Sequence, residues 1–150
     1  MNALTLRRGA RWFAAVYLVA LALITLSPAP MDDGTTGMIN TVLAWLHDHG
    51  VPVWVNYELT EFTANIALFL PVGLLGVVLV GVDRWWLTVL AGFLLSSAIE
   101  LSQLLFLPSR FPTLFDVLAN TTGAVLGALL AMLAVDAAAS RRRSQRQSPA

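Results

Sequence analysis

Four long apolar runs, each ended by charged residues or proline, constrain this chain more than any other feature. They cover about residues 12–26, 62–82, 85–107 and 114–135. A helix needs roughly 20 apolar residues to cross the hydrocarbon core of a bilayer. Three of the runs reach that length, and the first falls short. Since the backbone must satisfy its own hydrogen bonds in lipid, we expect an all-α polytopic membrane protein, a bundle of four transmembrane helices.

The composition agrees with a membrane domain and excludes several soluble classes. The chain is 57% hydrophobic and 12% charged, against roughly 25% charged residues in ordinary soluble domains. Its formal net charge is zero, and it contains no Cys. These values argue against a basic nucleic-acid binder and a disulfide scaffold. We therefore expect membrane lipids as partners and no nucleic acid.

The two ends of the chain call for separate interpretation. We assign residues 1–136 to one membrane domain and residues 137–150 to a flexible, Arg-rich tail that anchors to anionic lipid head groups. The first apolar run follows Arg7 and Arg8 and precedes Ser27, a pattern that also fits a cleaved signal peptide. Retention as a signal anchor is the simpler interpretation.

The positions of the basic residues predict the orientation. With four crossings, eight of the nine basic residues, all Arg, fall on the same side as the two termini, and Arg110 alone falls on the other. Cytoplasmic loops are enriched in basic residues, so we expect both termini in the cytoplasm. Residues 28–60 then form an extracytoplasmic segment. Its apolar residues from Ile39 to Leu46 recur at helical spacing, which predicts a short amphipathic helix on the membrane surface.

Polar side chains inside the spans concentrate near one end of the bundle. Glu61 and Asn65 share a face of the second span, Glu100 and Gln103 lie in the outer part of the third, and Asp116 and Asn120 share a face of the fourth. Ionisable groups in a span cost about 2.5 to 3.5 kcal/mol each on insertion scales, so each requires a partner or a purpose. We expect an outward-facing polar pocket whose ligand-binding residues are Glu61, Asn65, Glu100, Gln103, Arg110, Asp116 and Asn120.

Structural explanations for the same residues remain open. Thr113 and Asp116 match a capping box at a helix start, and Glu61 follows Thr60 where it could offset the helix dipole. Glu100 lies well inside a helix, which favours a functional or ion-pairing role. His47 and His49 are too closely spaced to share a helical face, so we expect no metal site and no cofactor.

Small residues and a proline predict how the helices pack. A small residue recurs at every fourth position of the last span: Ala119, Gly123, Gly127 and Ala131. Such a stripe favours close helix packing within one chain, which we prefer, or between two copies in a homo-oligomer. Pro71 is expected to kink the second span beside Gly73.

The ordered motifs resemble those of a known family. They are Glu61 with Asn65, Phe69–Gly73, Ser97–Gln103, Arg110 and Phe115–Gly127. This pattern is similar to the VanZ-like family of bacterial integral membrane proteins over about residues 12–135. The resemblance implies a multi-pass protein of the bacterial cytoplasmic membrane. The namesake is associated with low-level resistance to the glycopeptide teicoplanin. The family's motif residues map here to Glu61, Asn65, Pro71, Glu100, Gln103, Arg110, Asp116 and Asn120.

Three functional hypotheses follow. The first is a binding protein whose pocket holds a lipid head group, a lipid-linked cell-wall precursor or a glycopeptide-type antibiotic, with Arg110 pairing a phosphate or carboxylate. The second is a membrane enzyme that acts on a lipid-linked substrate with Glu100 or Asp116 as acid or base, although the spans lack His and Cys. The third is a small transporter, which the apolar inner halves of the spans disfavour.

Overall fold

The computed structural model describes residues 3–27, 33–107 and 113–147, and the regular structure of these segments is helical throughout. The helices are α1 (Ala3–Thr25), α2 (Asp33–Asp48), α3 (Tyr57–Val80), α4 (Trp85–Phe106) and α5 (Leu114–Gln147), with a 3₁₀ turn at Val82–Arg84. Four of them, α1, α3, α4 and α5, are long and apolar enough to cross a membrane. The all-α expectation and the four apolar helices are therefore confirmed, and α2 is a separate helix between the first two.

The second apolar helix begins earlier than the hydropathy of the sequence indicates. Asn56 caps α3, because its Oδ1 accepts from the backbone N–H of Leu59 at 3.0 Å. The cap satisfies one of the N–H groups that a helix start leaves unpaired. At its other end α3 stops at Gly81, whose φ of 95° lies in the left-handed region that glycine tolerates. The chain then turns directly into α4.

The segment predicted as a flexible tail continues α5 in helical conformation as far as Gln147. The charged residues that end the apolar run do not end the helix. Ala, Arg and Gln dominate this stretch, and all three are strong helix formers. The hydropathy of the sequence indicates where α5 stops being apolar, and the helix propensity of the following residues lets the helix continue beyond that point.

α3 and α5 form the tightest helix pair of the bundle. A Cβ built on Gly127 would lie 2.0 Å from the Leu70 carbonyl oxygen, and one built on Gly73 would lie 2.0 Å from that of Ala124. No side chain fits at those distances, so the glycines set how closely the backbones approach. The small residues of the stripe are all buried in the chain's own fold: Ala119, Gly123, Gly127 and Ala131.

The other two apolar helices attach to this pair. Along α4 the buried residues are mostly small or polar, and at Gly92 a Cβ would lie 2.7 Å from the Ala124 Cβ. α1 packs through Leu21, which is buried in a cluster with Phe69 and Ile99. The Tyr17 hydroxyl donates to the Leu68 carbonyl of α3 at 2.6 Å. α1 therefore packs against both α3 and α4.

Large apolar side chains cover the outside of the bundle. Leu114 is 82% exposed, Phe106 and Trp12 are each 75% exposed, and many Leu and Val residues of the four helices are similarly open. A soluble monomer rarely exposes so much contiguous apolar surface. Hydrocarbon chains of lipid are the environment that this surface fits, so the protein is a membrane protein.

Candidate functional site

Three helix ends meet at one end of the bundle and bring the polar residues together. The start of α3, the end of α4 and the start of α5 lie at the same end, because successive helices run in opposite directions. On each of these three helices, the polar residues lie within about three turns of that end. These polar residues therefore lie towards the same end of the bundle.

Asp116 links the start of α5 to α3. Its Oδ1 accepts from the Asn65 side-chain amide at 2.6 Å, and its Oδ2 accepts from the Thr113 hydroxyl at 2.8 Å. The same hydroxyl accepts from the Asp116 backbone N–H at 3.2 Å. Asp116 therefore takes part in the helix start, as the capping pattern predicted, and also makes an interhelical hydrogen bond.

Glu100 completes the arrangement from α4. In a capping box, the acidic residue of the helix also accepts from the N–H of the capping residue. Here that N–H, on Thr113, donates to Glu100 Oε2 at 3.2 Å. The carboxylate that accepts from the Thr113 N–H therefore belongs to Glu100 on α4 and not to Asp116, and the Asp116 carboxylate bonds with Asn65 instead. Asn65, Glu100, Thr113 and Asp116 are called the rim cluster below.

A second polar contact lies one turn deeper. Asn120 Nδ2 donates to Ser96 Oγ at 2.9 Å, and the two residues are 4% and 0% exposed. Asn120 Oδ1 is buried and has no hydrogen-bond partner among the described residues. Asn120 follows Asp116 by one turn on α5, so it forms a buried floor beneath the rim cluster.

Gln103 is directed towards α1 and not towards the rim cluster. Its Nε2 donates to the Thr25 backbone carbonyl at 2.9 Å, and the residue is 7% exposed. The last carbonyls of a helix lack intrahelical partners, and Gln103 supplies one for α1. Periodicity predicted that Gln103 shares the buried face of α4, but it does not indicate which neighbour that face meets.

Glu61 and Arg110 are the two remaining predicted residues. Glu61 is exposed in the second turn of α3, beyond the first-turn Glu58, because the helix begins at Tyr57. A position near the helix dipole's positive end therefore belongs to Glu58 and not to Glu61. Arg110, the expected cationic member of the site, lies outside the described residues.

Neither histidine of α2 points to metal chemistry. His47 Nε2 lies 2.9 Å from the Val55 carbonyl, and His49 Nδ1 lies 2.7 Å from that of Trp45. Within the described ranges, no group of three or more metal-ligating side chains lies close enough to hold an ion.

Two buried polar residues of α4 lie outside the predicted ligand-binding set, one beside the site and one at the opposite end of the helix. Ser96 is the partner of Asn120, and Thr88 has a buried hydroxyl without a hydrogen-bond partner in the part of the chain that the structure describes. The signal lies in the spacing along α4. Its buried positions Thr88, Gly92, Ser96 and Gln103 form a stripe of small or polar residues from one end of the helix almost to the other.

Comparison with known proteins identifies a family for this sequence. No curated protein matched the sequence, and no solved structure matched it. The VanZ/LLP1 family matched residues 13–135. This range includes most of the apolar part of each of the four long helices and all residues of the rim cluster and the floor. Because the match covers most of the sequence, the chain belongs to the VanZ/LLP1 family.

Proposed function

We propose that this protein binds the polar head of an amphipathic molecule at the rim cluster, on the extracytoplasmic side of the bacterial cytoplasmic membrane. The ligand classes that share this chemistry are membrane lipids, lipid-linked cell-wall precursors and glycopeptides that carry an acyl chain. The polar head lies among the carboxylates and amides, and the apolar part lies along the exposed surface of the helices.

The observation that carries the proposal is the meeting of two carboxylates and an amide from three helices. Asn65 on α3, Glu100 on α4 and Asp116 on α5 are all half-buried, and one hydrogen-bond network through Thr113 joins them. Placing carboxylates and amides within a bilayer costs free energy, so such groups indicate a pairing or functional role. Asp116 accepts hydrogen bonds from two neutral side chains, those of Asn65 and Thr113, and its carboxylate also contacts the ligand in this proposal.

The structure divides the predicted ligand-binding residues into two groups with different roles in this proposal. Glu61, Asn65, Glu100 and Asp116 are accessible or half-buried and contact the polar head. Gln103 and Asn120 are buried and positioned to hold the helices around it. Arg110, in the connection between α4 and α5, supplies the cation for a phosphate or carboxylate.

Native mass spectrometry of the purified protein tests this proposal through the lipids that remain bound. We expect the wild-type protein to retain a head-group class that Asp116→Asn, Glu100→Gln and Arg110→Gln lose by about tenfold, which corresponds to about 1.4 kcal/mol in binding. Each variant keeps the size of the original side chain or reduces it slightly.

Asp83→Asn is the matched control, because Asp83 is an exposed carboxylate in the turn before α4, at the opposite end of the bundle. It should retain the same lipids as the wild-type protein. If all three site variants bind the same head-group class as Asp83→Asn while they remain folded in the membrane, the proposal is wrong.

A further inference from the structure

The short helix α2 carries an exposed apolar ridge that no other described part of the chain covers. Met38 is 70% exposed, Val42 49% and Trp45 58%. At 100° per residue these three side chains fall within about 60° of arc on one side of the helix. Val53 and Trp54, in the connection to α3, are also open, at 79% and 68%.

The opposite side of α2 faces the rest of the protein. Asn40, Leu43, Ala44 and His47 line a groove of about 390 Å³ between α2 and the start of α3. Leu43 is buried there, and the His47 ring contacts the Val55 carbonyl. α2 therefore directs a mixed face, which includes the buried Leu43, towards α3, and it directs its apolar ridge outwards.

The length and composition of α2 limit what can cover the ridge. With 16 residues, including Asp33, Asn40 and Asp48, α2 is too short and too polar to span a bilayer. The ridge includes Trp45, and Trp54 follows in the same segment; indole rings concentrate at membrane–water interfaces. The segment continues directly into the membrane-crossing helix α3, so its apolar side chains are at the level where the lipid surface begins.

We propose that the apolar ridge of α2, with Val53 and Trp54, inserts into the head-group and upper acyl region of the bilayer. α2 thereby lies in the interface at the end of the bundle that carries the rim cluster, with its groove turned away from lipid. The inference concerns the placement of α2 and does not depend on ligand binding at the rim cluster.

Site-directed spin labelling tests the placement of α2 in the membrane. Since the chain contains no Cys, a single introduced Cys is the only labelling site. Val42→Cys and Val53→Cys carry the label on the ridge, and Asn40→Cys carries it on the opposite, groove-lining side. The full-length protein is reconstituted into vesicles of phosphatidylethanolamine and phosphatidylglycerol. Collision rates are then measured with oxygen, which concentrates in the bilayer, and with a water-soluble nickel chelate.

We expect the ratio of oxygen to nickel collisions to be several-fold higher at positions 42 and 53 than at position 40. Equal ratios at the three positions would place the ridge in water and overturn the inference. Low collision rates with both reagents at position 42, together with dipolar broadening between labels, would show that a second copy covers the ridge, which also overturns it. All three positions are substantially exposed, so the labels should not disturb folding.

Discussion

At the residue scale, Asp116 makes both a contact at its own helix start and a contact with another helix. Its backbone and one carboxylate oxygen bond with Thr113, and its other oxygen bonds with Asn65 on a different helix. A capping pattern and a site residue are therefore compatible in one side chain. The local pattern predicted the first contact, whereas the second depends on α3 lying against α5, which no local pattern encodes.

The Ser96 hydroxyl is expected to contribute to stability through Asn120 alone. Ser96→Ala leaves the buried Asn120 amide without its acceptor, and we expect a loss of about 1 kcal/mol in the free energy of unfolding. Detergent-induced unfolding in mixed micelles measures this value. In a double-mutant cycle with Asn120→Ala, the two effects should be less than additive.

Ser97→Ala is the matched control for this measurement. The Ser97 hydroxyl bonds only to the Phe93 carbonyl of its own helix, at 2.9 Å, among the contacts of the described residues. Its removal should change the unfolding free energy by less than about 0.5 kcal/mol. Equal losses in Ser96→Ala and Ser97→Ala would contradict an interhelical role for Ser96.

At the scale of elements, backbone proximity fixes the pairing of α3 with α5. The ideal Cβ positions of Gly123 and Gly127 lie 2.2 Å and 2.0 Å from the carbonyl oxygens of Ile66 and Leu70. The stripe of small residues predicted close packing, but it left open whether α5 meets its own chain or a second copy. Since α3 occupies the stripe, a second copy would have to use another face of α5.

Gly127→Ala is expected to weaken the α3–α5 pair. The added methyl group meets rigid backbone, so the helices must separate, and we expect a cost of about 3 kcal/mol, at the upper end of ordinary overpacking effects. The measurement is again unfolding in mixed micelles, and gel filtration checks that the variant elutes at the same size as the wild-type protein.

Gly9→Ala provides the comparison within another helix. Gly9 lies inside α1, and nothing is within 4 Å of a Cβ built on it. Alanine should stabilise that helix by up to about 1 kcal/mol through its higher propensity. A loss of stability in Gly9→Ala as large as that in Gly127→Ala would mean that helix contact is not the cause.

Gln103 makes one of the polar contacts that attach α1 to the rest of the bundle. We expect Gln103→Leu to increase hydrogen exchange in the last turn of α1, because the Thr25 carbonyl loses its donor. The other end of α1 should exchange as in the wild-type protein. Unchanged exchange around Thr25 would indicate that apolar packing of Leu21 is sufficient to hold this end.

At the scale of the whole molecule, long apolar runs were enough to predict the class of fold and the number of apolar helices. They did not predict that α3 begins at Tyr57, because this start depends on the side-chain cap from Asn56. They also did not predict that α5 extends to Gln147, because residues of high helix propensity continue the helix beyond the apolar run. The gathering of polar residues near one end of the bundle was predictable from their positions in the apolar spans, while their function as a ligand site stays a prediction. Which partner each side chain meets, as for Gln103 and Thr25, required the packing of distant helices.

Orientation in the membrane follows from charge placed on this fold. If all four apolar helices cross the membrane, the two termini lie on the same side, together with eight of the nine Arg residues. From the positive-inside tendency we propose that this side is the cytoplasm. We therefore predict that a membrane-impermeant maleimide applied to intact cells labels Glu58→Cys at the start of α3 and spares Ser140→Cys near the end of α5.

Permeabilised cells provide the control for this last experiment, because both positions are exposed in the fold and should then react alike. A fluorescent protein fused after Ala150 should also fold and fluoresce, as it does in the cytoplasm. Labelling of Ser140→Cys but not Glu58→Cys in intact cells would invert the bundle. The rim cluster would then face the cytoplasm, and any head group bound there would have to come from the inner leaflet.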